Sequence, residues 1–395
     1  MKRIYTLLAL FSLISVGSLR AQSELWGVTT TGGDGFGVLF SMPTGSTSPS
    51  YTRNFAGAAG SSPQHTKLIQ ASNGKIYGTL ISGGLNNLGV LFEYDPSTGV
   101  FTKKWDFASA TGSSPRGPLM QASDGKLYGL TQGGGANSVG AIYYYDISTS
   151  TYSLIASLTT SNGAQPFGGF TELSPTNGKL YAVTRVGGAN SGGAIIEYSL
   201  GSTSYTKTAD MSASTGTLSF GNLVESGSKL YGLAAASGTN SAGTIFEYDY
   251  STQTVTKKFD FGGTNGSSPN GSLYKASDGN LYGMTTSGGA NSAGVIFKYT
   301  ASTSSFSTIW SFTSTSGSAP SGNVIQGSNG NLYGFTRTGG ANGNGVIFEY
   351  NISTSSYTNL VNLQSNTTVG GNPFGTLLQA SNGKFYGLTN NGGIA

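Results

Sequence analysis

The sequence predicts an all-β chain folded as a β-propeller of four-stranded antiparallel blades. Three observations carry this prediction. First, the phrase Lys126-Leu127-Tyr128-Gly129-Leu130-Thr131 recurs with small changes, placing an aromatic residue at Trp26, Tyr77, Tyr128, Tyr181, Tyr231, Tyr282, Tyr333 and Tyr386. Successive spacings of 51, 51, 53, 50, 51, 51 and 53 residues are the mark of a repeat architecture. Second, a two-residue turn precedes most copies: Asn73-Gly74, Asp124-Gly125, Asn177-Gly178, Asp278-Gly279, Asn329-Gly330 and Asn382-Gly383. These pairs supply the positive φ that a type I′ hairpin needs. Third, the segment after each copy is almost continuously apolar, as in Val90-Leu91-Phe92 and Val295-Ile296-Phe297. Consecutive apolar residues mean a strand covered on both faces, which blades stacked around a ring provide.

One unit shows the elements in order. Strand A spans 118–122 and turns at Asp124-Gly125 into strand B, 126–131. A Gly-rich loop, Gly133-Gly134-Gly135-Ala136-Asn137, leads to strand C, 141–145. A polar turn then opens strand D, 152–158, before a Gly/Pro loop reaches the next strand A. In one unit Gly227-Ser228 takes the turn, which is still permissible there. No helical periodicity appears beyond the first residues. A β-helix is the main rival, but its coils are usually shorter and its strands parallel.

Eight B strands but seven each of A, C and D suggest seven blades. The last strand A, 376–380, would then complete the N-terminal unit, which has none, and the strands of Trp26 and Tyr386 would compete for one slot. Such closure avoids an exposed sheet edge. If the chain, which ends inside a Gly-rich loop, is a piece of a longer one, eight or more blades are expected.

Lys2 and Arg3 precede an apolar stretch from Tyr5 to Val16. This pattern predicts a secretory signal, 1–21, removed after Ala21, and a single repeat domain, 22–395. Losing Lys2, Arg3 and Arg20 leaves 17 basic against 16 acidic residues. Nucleic-acid binding, which needs clustered Lys and Arg, is therefore not expected. Nor is a membrane span in the mature chain, whose location is predicted to be secreted or cell-surface. Charged residues make up 9% of the chain and aromatics 11%; a disordered Gly/Ser chain would lack that aromatic content. With no cysteine, disulfides, thiolate metal ligands and thiol nucleophiles are excluded.

The ordered set Asp124-Gly125-Lys126-Leu127-Tyr128-Gly129-Leu130-Thr131, Gly288-Gly289-Ala290-Asn291 and Gly345-Val346-Ile347-Phe348-Glu349-Tyr350 resembles the Gloeo/Verruco (GloVer) tandem repeat of secreted bacterial proteins, over essentially all of 23–395. The resemblance implies an exported, propeller-like protein, often tethered by a separate C-terminal anchor, of which this sequence shows none. It implies no catalytic residues.

In propellers, ligands usually meet the rim where the D–A and B–C loops emerge. The B–C loops here end in Asn86, Asn137, Asn190, Asn240, Asn291 and Asn342, with Asp34 nearby in the shorter first loop. A residue in every unit is more often there to build the unit, and Asn tolerates left-handed backbone. The variable position of the D–A loops is the better candidate for binding: Gln64, Arg116, Phe167, Phe220, Asn270, Ser321 and Phe374. There Arg116 could pair with a carboxylate, and the Phe rings could stack on a sugar or peptide. The sole histidine, His65, has no second histidine to share a metal and reads as a surface residue beside Gln64. Glu93, Glu197, Glu247 and Glu349 share one strand-C position that is Tyr144 or Lys298 elsewhere, a variability suggesting an exposed edge. Lys103-Lys104 and Lys257-Lys258 read as solvent-facing. No acid pair for glycoside hydrolysis, calcium loop, phosphate loop, metal site or cofactor site is visible.

The expectation is a non-enzymatic, monomeric module that binds a glycan or protein through its rim. The alternatives are a propeller-based polysaccharide lyase or hydrolase, and a structural spacer of a larger surface protein.

Overall fold

The computed structural model describes residues 24–29, 38–43, 50–54, 60–62, 67–173, 177–364, 371–373, 375–379 and 385–391. The expected signal segment, Asp34, Gln64, His65, Phe374 and the Asn382-Gly383 turn lie outside them. The predicted antiparallel blades are present. The second blade runs Met120–Gln121, Leu127–Thr131, Ala141–Asp146 and Thr151–Ser157 from its innermost to its outermost strand, each antiparallel to the next. The inner strand is shorter than expected, because only two residues of the 118–122 segment pair with strand B.

The blade count corrects the sequence expectation. Six blades of the four-stranded antiparallel kind are present, not seven; the sixth carries an additional short strand, Ser318–Pro320. The remaining strands form one mixed sheet. In it Glu24–Thr29 lies parallel to Phe385–Asn391, with Trp26 opposite Tyr386 and Val28 opposite Leu388. The two B strands do not compete for a slot. The last strand A, Leu378–Gln379, pairs with its own strand B, Phe385–Asn391, rather than completing the N-terminal unit. The reason is edge satisfaction. The N-terminal unit lacks a strand A, so one edge of Glu24–Thr29 has no partner within its unit. A parallel ladder to the equivalent C-terminal strand supplies one.

Packing between blades explains the continuous apolar runs. In the six blades, each strand B and strand C contributes side chains to both neighbouring interfaces. Tyr128, Leu130 and Ile142 pack with Phe170, Leu180 and Ile196 of the third blade. Leu127 and Tyr143 pack with Tyr77, Leu91 and Phe107 of the first. The mixed sheet takes its place in this series: Leu377 belongs to the cluster of Tyr333 and Phe335 in the sixth blade, and Leu378 packs against Leu68 and Phe92 in the first. Outer strands add face-to-face aromatic contacts between blades, Trp105 on Tyr152 at 4.4 Å, Phe259 on Phe306 at 3.8 Å and Trp310 on Tyr357 at 4.5 Å. Such pairs add about 0.5–1.5 kcal/mol each beyond area burial.

Strand-B glycines make room for these rings. A Cβ on Gly232 would meet Phe246 Cζ at 2.3 Å, and one on Gly283 would meet Phe297 Cζ at 2.5 Å.

Candidate functional site

A glycine precedes the inner strand in six units, at Gly117, Gly168, Gly221, Gly271, Gly322 and Gly375; the first blade has Thr66 there. A Cβ on Gly168 would sit 2.3 Å from the Gly221 carbonyl oxygen, on Gly221 2.1 Å from that of Gly271, and on Gly271 2.2 Å from that of Gly322. Only a residue without a side chain allows neighbouring blades this approach. From the third blade to the sixth, the residue after the glycine then reaches around the ring. Gly169 N–H donates to Asn222 Oδ1 at 2.8 Å, and Asn222 N–H to Ser272 Oγ at 2.8 Å. Ser272 N–H donates to Asn323 Oδ1, and Asn323 N–H to Thr376 Oγ1 at 3.3 Å. Innermost backbone donors are thus capped by side chains of the next blade. A second ring of ties joins the A–B turns: Ser72 N–H donates to Gln121 Oε1, Ser123 N–H to Glu172 Oε2 and Ser277 N–H to Gln326 Oε1, at 2.7–2.9 Å.

These strands enclose a cavity of about 320 Å³ on the ring axis, walled by residues of all six blades and of the mixed sheet. Lys67, Met120, Phe170 and Tyr274 stand in its wall, and Phe167, Phe220, Asn270 and Ser321 at its D–A loop end. Lys67 is the only Asp, Glu, Lys, Arg or His among the described lining residues, and burial pulls its ammonium pKa down.

Three of the sequence-selected rim residues meet here. Phe167 is buried, 9% exposed, and packs edge to face on Phe220 at 5.3 Å. The Arg116 guanidinium carbon lies 5.1 Å from the Phe167 centroid. A fourth member, Arg185, was not singled out from the sequence. Its guanidinium lies 5.2 Å from the Phe167 centroid and 5.4 Å from that of Phe220. Arg185 lies four residues after its strand-B tyrosine, where other blades place Ile81, Gln132, Ala235, Thr286 or Arg337. That variability was its only sequence signal. Arg116 Nε donates to Gln132 Oε1, while Arg185 Nε is buried without a partner. Burial, and then the neighbouring Arg185 charge, lower the Arg116 pKa. Neither arginine has an ion-pair partner among the described residues. Asn270 and Ser321 continue around the mouth, with Ser321 Oγ donating to the Pro373 carbonyl at 3.0 Å.

The recurring asparagines stand elsewhere, against the outer strands. Asn86 Nδ2 donates to Phe107 O, Asn137 to Leu158 O, Asn240 to Phe261 O and Asn291 to Phe312 O, at 2.8–3.0 Å. Asn190 and Asn342 make longer versions to Met211 O and Asn362 O. Each ties a B–C loop to the end of strand D.

The strand-C carboxylates are not an exposed edge, contrary to the sequence expectation. Glu93 is 8% exposed and accepts the Tyr77 hydroxyl at 2.5 Å. Glu197 and Glu247 accept from Tyr181 and Tyr231 in the same way. Nor do the lysine pairs simply face solvent: Lys103 and Lys257 pair with Asp106 and Asp260, and Lys104 and Lys258 reach Glu93 and Glu247. Among the described residues no group of three His, Cys, Asp or Glu could hold a metal ion. No helix there is long and apolar enough to cross a membrane.

Solved structures share the fold at low identity. A candidate 6-phosphogluconolactonase from Bacteroides fragilis NCTC 9343 is 13% identical over 91% of this chain and 98% of its own, with a TM-score of 0.54. A second, from Bacteroides uniformis ATCC 8492, is 12% identical over 86% of this chain and 95% of its own, also at 0.54. A puromycin-hydrolyzing peptidase from Mycobacterium tuberculosis is 11% identical over 86% of this chain, with a TM-score of 0.52; the chain spans 54% of its length. No curated protein matches the chain. The Gloeobacter/Verrucomicrobia repeat model matches three times, over residues 14–176, 170–326 and 304–395. With repeats matched end to end and blades folded to the same plan, the chain belongs to the Gloeobacter/Verrucomicrobia repeat family.

Proposed function

We propose that this protein is an exported binding module that holds a segment of a glycan at the mouth of its central channel. The observation that carries this reading is the composition of the cavity wall. Phe167, Phe220 and Asn270 offer apolar rings and an amide, and the described lining contains no carboxylate. Glycoside hydrolysis commonly needs two carboxyl groups flanking the scissile bond, so this wall suits recognition rather than cleavage. Its volume lies at the small end of the range for small-molecule sites, which fits one or two sugar units of a longer chain. The fold itself is neutral on the question, since propellers carry many functions.

A glycan-array screen of the chain lacking residues 1–21 tests this, followed by calorimetry on the best binder. A hit whose affinity falls in Phe220→Ala, at unchanged melting temperature, supports the mouth as the seat. Affinity indifferent to Phe220→Ala, or bond cleavage during incubation, overturns it.

A further inference from the structure

We infer that the channel mouth is an anion seat, and that the glycan it takes is acidic, with a uronate carboxylate between the guanidiniums of Arg116 and Arg185. This rests on the proposed binding function and narrows its ligand. Charge is the first argument. Two guanidiniums, those of Arg116 and Arg185, lie over the Phe167 ring, and Lys67 stands in the wall of the cavity that Phe167 also lines. None has an ion-pair partner among the described residues, whereas nine lysines elsewhere each pair with a carboxylate. Partly buried like charges repel, and a protein holds them together at a cost that an anionic ligand removes.

Donor geometry is the second argument. Arg116 spends Nε on neutral Gln132, and Arg185 Nε is buried with no acceptor. A planar guanidinium suits a carboxylate through two parallel N–H bonds. Phe167 lies against both guanidiniums and Phe220 against that of Arg185, so the two cations are positioned before a ligand arrives.

A glycan is favoured over an acidic peptide by the state of the inner backbone. A peptide that adds a strand needs free ladder donors. Here the N–H groups of Gly169, Asn222, Ser272 and Asn323 are already capped by the next blade. Asn270 instead offers its side-chain amide at the mouth, suited to sugar hydroxyls.

Calorimetry on the chain lacking residues 1–21 decides the matter, with polygalacturonate, its fully methyl-esterified form and poly-L-glutamate as probes. The free-acid glycan should bind at least about tenfold tighter than the ester, and Arg185→Gln should remove about that factor, one charge-assisted pair's share. Affinity of the unsubstituted chain should also fall as salt rises. That measurement needs no variant, so it stands even if Arg185→Gln unfolds. Equal binding of acid and ester, or salt-independent binding, overturns the anion seat and leaves the glycan-binding reading intact. Binding of poly-L-glutamate alone overturns the glycan. Failure of all three probes together with a neutral glycan on the array overturns the anion seat only; an empty array overturns both.

Discussion

The hydroxyl of Tyr128 donates to Asp124 Oδ2 at 2.9 Å, across the turn that opens its own strand. Tyr282 does the same to Asp278 at 2.8 Å. In blades whose turn has no aspartate, the carboxylate comes from strand C instead: Tyr77 to Glu93, Tyr181 to Glu197 and Tyr231 to Glu247. Where the turn holds Asp124 or Asp278, strand C has Tyr144 or Lys298 at that place. Each of these blades therefore supplies one carboxylate to its buried tyrosine, from either of two positions. An apparently variable site is the second half of an exchange.

That exchange predicts a rescue. Asp124→Asn leaves an amide that can donate to Tyr128, as Asn73 Nδ2 does to Tyr77 at 2.9 Å, but no acceptor that matches a carboxylate. It should cost about 1–2 kcal/mol in denaturant unfolding. Adding Tyr144→Glu should restore most of that loss. A double variant no more stable than the single one would refute the exchange.

Acid should destabilise the fold. Burial raises the Glu93 carboxyl pKa, but donation from Tyr77 and Lys75 outweighs it, so the net shift is downward. In Asp124 and Asp278 burial is likewise outweighed by donors, chiefly Lys126 and Asn280. Groups depressed in the folded state stabilise it above their unfolded pKa values, about 4 for Asp and Glu. That contribution disappears as pH falls through the lower folded values. Unfolding free energy should thus be flat near neutrality and decline below about pH 4; chemical denaturation across pH measures it, and a flat profile down to pH 2 would contradict the assignment.

Asn291→Ala separates the two readings of the recurring asparagines. Loss of the bond to the Phe312 carbonyl should cost about 0.5–1.5 kcal/mol. Affinity for any ligand held at the channel mouth should not change, because the loop tie lies against the outer strand. Weakened binding with unchanged melting would instead assign the asparagines to recognition.

Two glycines should respond differently to alanine. A Cβ on Gly221 would lie 2.1 Å from the Gly271 carbonyl oxygen, so Gly221→Ala forces two blades apart and should cost roughly 3 kcal/mol or more. Gly279 has φ +79° and open space around it. Gly279→Ala should cost only about 1–2 kcal/mol, the strain of a left-handed residue. Thermal melts of both variants test the order.

The spacing of Tyr77, Tyr128 and their equivalents, the Asx-Gly turns and the unbroken apolar runs determined the four-strand module without any coordinates. Those signals are local or periodic, and turn stereochemistry and two-sided burial leave them few solutions. Arg116, Phe167 and Phe220 were legible as rim candidates because their loop position varies while the loop itself persists. Three matters were decided only in three dimensions. Trp26 faces Tyr386 in a parallel ladder, because both strands carry the same pattern and only ring closure brings their edges together. Glu93 is buried against Tyr77, a pairing hidden by the fact that its counterpart in other blades is Asp124 or Asp278. Arg185 joins Arg116 on Phe167 because successive blades bring distant loops of one chain side by side. A repeat period fixes what each module is; which side chains of different modules touch depends on the angle between blades, and that angle is set by packing across their shared faces.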